Sequence, residues 1–267
     1  MMRPTPAGRE ADPLQAACFP LLPFGSRVRG NGFDFGGVHH GLRRNTADRH
    51  YLHGDGWLSQ WQVARQSAAE VMLTFSHVAD GTPYRYAAEQ HFALSADSLT
   101  ATLAVRNAGK AALPFGLGLH PYFPCTPRTR LRATAACCWP EEEDFLFGAP
   151  GSVPAGRDFS TARTLPREWV HTAFGGWDGR AEIVWPEHQM ALDIAADAAF
   201  GVWLLFISDP AFQPGYAYEH FCFEPMTHAP DAHNRADLGG LVVLAPGESL
   251  RGTVTFHCRD LAPGAQQ

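Results

Sequence analysis

From Trp61 onward the apolar positions recur every second residue rather than every third or fourth. The alternation is cleanest in residues 98–105. There Leu99, Ala101, Leu103 and Val105 share one face, with Ser98, Thr100 and Thr102 on the other. Segments of similar texture and strand length fall at 70–78, 84–94, 130–136, 181–185, 190–195, 201–207, 220–224, 241–244 and 250–257, parted by turn signals such as Asp80-Gly81. No run of a dozen residues keeps a 3.6-residue period, so the pattern predicts an all-β sandwich or barrel, one domain over residues 1–267. Ahead of Trp61 the pattern fails. Residues 1–13 are Pro- and Ala-rich and read as loose. Residues 18–24 (CFPLLPF) are apolar but hold two prolines, which predicts an irregular buried segment or an edge strand. Residues 36–57 carry His39, His40, His50 and His53 without periodicity and read as a long, function-bearing loop.

Composition narrows the class. Charged residues are 18% and aromatics 12%, which suits a globular core rather than disorder. Net charge is −6 and the basic residues form no run, arguing against nucleic acid or an anionic membrane as partner. The longest apolar run, 198–207, is too short to span a bilayer. The opening residues lack the apolar stretch of a signal peptide, so a cytoplasmic location is expected. Six cysteines without C-x-x-C spacing read as reduced core residues rather than disulfides or a zinc site. The acidic cluster Glu141–Asp144, inside a Pro/Gly-rich connection, reads as a solvated surface loop.

Two stretches share one grammar: an apolar strand, a titratable residue, then proline. They are Leu113–His120-Pro121 and His220–Glu224-Pro225. Proline lacks an N–H and biases its predecessor toward extended backbone, so each pair is expected to end strand pairing and aim a stiffly held side chain. His120 and Glu224 together would supply a general acid and a general base. Tyr122 follows as an aromatic neighbour suited to a ring-shaped ligand, and Arg27 and His53 stand in Gly-rich loops. A half-buried structural histidine, and a glutamate capping a turn or pairing with an arginine, are the plainer readings of the same residues. No G-x-S-x-G, phosphate-binding loop, H-E-x-x-H or G-x-G-x-x-G occurs.

Six blocks in order, Phe19-Pro-Leu-Leu-Pro-Phe-Gly-Ser-Arg27, Leu52-His-Gly54, Gly118-Leu-His-Pro-Tyr-Phe123, Gly176-Trp-Asp-Gly179, Glu224-Pro-Met-Thr-His-Ala-Pro-Asp-Ala-His-Asn234 and Leu244-Ala-Pro-Gly-Glu248, make the chain resemble the aldose 1-epimerases, or galactose mutarotases. The resemblance implies a β-sandwich of large twisted antiparallel sheets with a sugar cleft, interconverting the α and β anomers of a hexose. It implies that Glu224 removes the anomeric hydroxyl proton and that His120 protonates the ring oxygen as C1–O5 breaks. Arg27 and His53 would hold ring and hydroxyl oxygens. It calls for a monosaccharide substrate, no cofactor and no metal. From residue type alone, Trp57 and Trp177 are assigned as walls against the sugar's C–H face.

The chain departs from the family pattern twice. A carboxylate usual before the Gly-Trp-Asp-Gly block is matched here by His171, leaving Asp178 as its replacement or galactose as the wrong sugar. The usual opening strands are not evident, which predicts an unpaired sheet edge covered by residues 1–20 or by a second subunit in a homodimer. Three other functions are open at this point. A hexose-6-phosphate 1-epimerase could use Arg27, Arg29, Arg43 and Arg44. A non-catalytic carbohydrate-binding module would use the same polar and aromatic groups for recognition only. A metal-dependent enzyme would have to use His39, His40, His50 and His53, whose spacing fits no standard pattern.

Overall fold

The computed structural model describes residues 1–5 and 12–261. Two antiparallel sheets carry the chain, and no described helix exceeds a single 3-10 turn. The nine-stranded sheet runs, in spatial order, Arg163–Thr164, Arg130–Ala133, Arg180–Trp185, Met190–Ala196, Ser249–Asp260, Ser98–Asn107, Tyr86–Leu94, Glu70–His77 and Gln62–Gln66. The six-stranded sheet runs Cys18–Leu21, Gly118–Pro124, His220–Met226, Val202–Ile207, Val170–Gly175 and Cys137–Trp139. Of the sandwich or barrel allowed by the period-two pattern this is the sandwich, in the twisted antiparallel form that the family resemblance implies.

The alternation along each strand of the smaller sheet sorts its side chains between two cores. Leu119, Phe123, Phe221, Phe223, Trp203, Leu205 and Phe174 point into the larger core, shared with the nine-stranded sheet. Tyr122, Cys222, Met226, Leu204 and Ala173 point the other way, into a second cluster with Phe19, Trp57 and Trp139. Cys137 and Cys138 divide between the two clusters, as opposite faces require. All six cysteines are free thiols. The second face is therefore not sandwiched between sheets, and a functional site can be built there.

Three local expectations need correction. Residues 36–57 are not one irregular loop: Gly32–Phe35 pairs with Val38–Gly41, and Arg27–Val28 with Tyr51–Leu52. Their histidines and glycines masked this short-range pairing. Pro121 and Pro225 do not end their strands, which run on to Pro124 and Met226. They interrupt the ladder instead: partners are Gly118↔Met226 and then Tyr122↔Cys222, with a gap at the two prolines. Thirdly, residue 3 is not loose. Arg3 N–H donates to the Tyr122 carbonyl at 2.7 Å, and its guanidinium donates to Leu14 and Ala16 carbonyls at 2.6 and 2.9 Å. Residues 6–11, within the stretch read as loose, lie outside the described residues. Among the described residues no strand precedes Cys18–Leu21, and that strand forms the sheet edge.

Candidate active site

Cross-strand register assembles the site. Phe19 lies opposite His120, Leu204 opposite Glu224, and Ala173 opposite Leu204. The pairs bracketing the proline gap set position 120 opposite 224. One row across the open face thus reads Phe19, His120, Glu224, Leu204, Ala173. His120 Nε2 lies 3.1 Å from Glu224 Oε1. Glu224 is 2% exposed and His120 7%. The outer atoms of the pair, His120 Nδ1 and Glu224 Oε2, are buried without a hydrogen-bond partner. Unpaired buried polar atoms are costly, and a site kept for a polar ligand is one reason to carry that cost.

Burial sets the charge state. His120 is stacked on Phe19 with ring centroids 4.3 Å apart and leans on Tyr122 at 4.9 Å. Burial lowers its pKa to about 3, with the Arg3 charge adding to the effect. Burial also pushes the Glu224 carboxyl well above its usual range, opposed by the Arg27 charge. The pair therefore holds one proton between two buried groups. Carboxylic acid with imidazole, and carboxylate with imidazolium, are two placements of that proton across one 3.1 Å contact.

The neighbouring loop places a third ring. His53 sits at φ 60, and its Nδ1 accepts the Ser26 N–H at 3.0 Å, which leaves Nε2 as the donor. Its ring stands edge-on to His120 at 5.6 Å. Burial and the nearby His120 and Arg27 charges hold its pKa well below 6.5. Gly54 follows at φ +69, where a Cβ would lie 2.1 Å from the Leu22 carbonyl oxygen; only glycine fits. Trp57 stacks on Phe19 at 5.2 Å and donates its indole N–H to the Leu52 carbonyl.

The sequence model described as "Aldose 1-epimerase" matches residues 2–257. The chain belongs to the aldose 1-epimerase family. Over 254 residues it is 44% identical to the uncharacterized protein YphB of Escherichia coli K12, covering 94% of this chain and 87% of that one. The crystal structure of an Escherichia coli K12 protein, provisionally named an aldose 1-epimerase, superposes with a TM-score of 0.91 at 43% identity, covering 93% of this chain and 86% of the other. A galactose mutarotase-like protein from Clostridium acetobutylicum shares the fold at TM-score 0.79 and 16% identity, over 91% of this chain and 79% of that one.

The other residues assigned from the sequence, by resemblance or by residue type, divide. Arg27 is ion-paired with Asp48 at 2.7 Å and lies over the Phe145 ring. His171 lies on the open face, its ring 4.5 Å from that of Phe147. Trp177 is not a cleft wall. It packs edge-on against Phe223 in the inter-sheet core and donates to the Arg180 carbonyl. Asp178 is exposed and accepts the Arg180 N–H in a turn, so it does not stand in for the missing carboxylate. A different carboxylate reaches His171: Glu141, which the sequence pattern assigned to a solvated loop. Glu141 Oε2 accepts the Trp169 indole N–H at 2.7 Å and lies 3.2 Å from His171 Nδ1. Its pKa is lowered: the hydrogen bonds and charges of His171, Trp169 and Arg27 outweigh the opposing effect of burial. The rest of the cluster is surface-facing, with Glu142 on Arg29 and Asp144 on Arg49.

The histidines of 39–53 do not gather. His39 meets Asp34, His40 stacks on Phe33, and only His53 reaches the site. Among the described residues no helix is long and apolar enough to cross a membrane.

Proposed function

We propose that the protein is an aldose 1-epimerase acting on an unphosphorylated hexose, with Glu224 and His120 as its proton-transfer pair. The 3.1 Å contact between these two buried, partly unpartnered groups carries the reading. Mutarotation needs one proton removed from O1 and one delivered to O5, with no net change. A pair that holds a single proton is suited to this. The hydroxyls of a bound sugar stabilise the charged placement, carboxylate and imidazolium. Glu224 then takes the O1 proton while His120 protonates O5, and the C1–O5 bond breaks. The aldehyde turns about C1–C2 and recloses with the two roles reversed. His53 offers its Nε2–H to a sugar oxygen, while Arg27 and the Glu141–His171 pair bind hydroxyls farther along the face.

The arginines favour a neutral sugar over a 6-phosphate. Arg27 is committed to Asp48, Arg29 to Glu142 and Asp231, and Arg43 to Asp80. Binding a phosphate through these three would require breaking such pairs; Arg44, the fourth candidate, reaches only the Asp48 carbonyl among the described residues, at 3.5 Å. Polarimetry on freshly dissolved α-anomers of glucose and galactose, beside glucose 6-phosphate, tests the proposal. Accelerated decay with a free hexose supports it. A protein that binds sugars but leaves every decay rate at the buffer value is a carbohydrate-binding module instead.

A further inference from the structure

Cys222 lies two residues before Glu224 on the same strand, and so on the same face. It is fully buried, is not in a disulfide, and has no part in the proton transfers described above. Yet one ligand atom from each of His120, Cys222 and Glu224 can be chosen so that all three lie within 4.8 Å of one another. Around a tetrahedral ion with bonds of about 2.0–2.3 Å, ligand atoms stand roughly 3.5 Å apart. The three donors are thus already gathered near the spacing that such an ion requires. Two further atoms strengthen the case: His120 Nδ1 and Glu224 Oε2 are buried with no partner, leaving this group short of polar contacts.

We propose that His120, Cys222 and Glu224 form an inhibitory site for a thiophilic divalent cation of the Zn2+ class. A nitrogen, a sulfur and an oxygen donor suit zinc, whereas magnesium and calcium prefer oxygen alone. Three protein ligands leave a fourth position for water. Binding forms metal–nitrogen, metal–sulfur and metal–oxygen bonds and expels two protons to solvent, one from the thiol and one from the His120–Glu224 pair. No electron is transferred. With the ion in place neither group can exchange a proton with a sugar, so metal and sugar compete. The inhibitory consequence rests on the epimerase reading; the metal site itself does not.

The test uses the full chain, wild type and Cys222→Ala, with ZnCl2 in the turnover assay and Co2+ as a spectroscopic probe. Wild type is expected to lose turnover as Zn2+ is added, less so at saturating hexose, and to give a thiolate-to-cobalt charge-transfer band in the near ultraviolet. Cys222→Ala keeps its basal turnover, loses that band, and needs on the order of tenfold more Zn2+ or beyond for the same inhibition. Equal zinc sensitivity in both proteins, or no charge-transfer band in wild type, overturns the proposal. If no hexose is turned over but the band forms in wild type alone, the epimerase reading fails and the metal site stands.

Discussion

Glu224→Gln keeps the size of a side chain that is 2% exposed and removes only its ability to gain and lose a proton. The amide can still meet His120 Nε2 at the 3.1 Å contact, so sugar binding is expected to survive. Positioned acid–base catalysis contributes about 10²–10⁴ in rate, or about 2.7–5.4 kcal/mol on the barrier, and turnover should fall by that factor with KM little changed. Stability should move the opposite way. The carboxyl's pKa is raised on folding because it is buried. Its stabilising contribution is complete below the unfolded value near 4.5 and is lost as pH rises toward the raised folded value. The loss is about 1.4 kcal/mol per pH unit within that window. Glutamine carries no such penalty, so the variant should melt above wild type, by a wider margin at pH 8 than at pH 5. Polarimetry and thermal melts at both values check this. Turnover within threefold of wild type, or a melting difference that does not grow with pH, would refute the assignment of a buried, proton-transferring carboxyl.

Further expectations follow from the same geometry. His120, held down to about 3, does not gain a second proton in the ordinary histidine range. Hence kcat/KM above buffer background should be flat between pH 7 and 5, and an acid limb centred near 6.5 would contradict it. Glu141→Gln should raise KM by roughly tenfold while sparing kcat, since it weakens a charge-assisted contact away from the reacting bond; titrations of initial rate against hexose concentration read this. Trp177→Phe should leave KM for the hexose unchanged within about twofold, because the ring it alters lies in the inter-sheet core. Gly54→Ala sets a Cβ 2.1 Å from the Leu22 carbonyl oxygen at a positive φ. It should lower stability by about 2 kcal/mol or more and raise KM through displaced His53, as chemical denaturation and kinetics can measure.

The strands were legible because one face of nearly every strand is core and the alternation records it. Ser98–Asn107 and Met190–Ala196 were placed to within a residue or two on that basis. The buried His120–Glu224 pair was legible through the His-Pro and Glu-Pro dipeptides, though proline acts there by opening the ladder within continuing strands. Trp177 misled because an aromatic beside Gly-rich turns looks alike whether it faces a cleft or a core. Glu141 was hidden by its acidic neighbours. One signal was present: it follows the buried Trp139 and precedes the buried Leu146 and Phe147, a poor setting for free solvation. Arg3 left no signal at all, because its partner Tyr122 is remote in sequence.

In the proposed mechanism one buried proton, shared by His120 and Glu224, opens and closes a hexose ring. Proton exchange spectroscopy on equilibrated glucose and galactose, by two-dimensional NMR, measures anomer interconversion with no optical offset from impurities. Cross-peaks joining the α and β anomeric protons should build up with wild-type protein and fade with Glu224→Gln. Their absence with wild type for both sugars, or their persistence at full rate in the variant, would contradict the account.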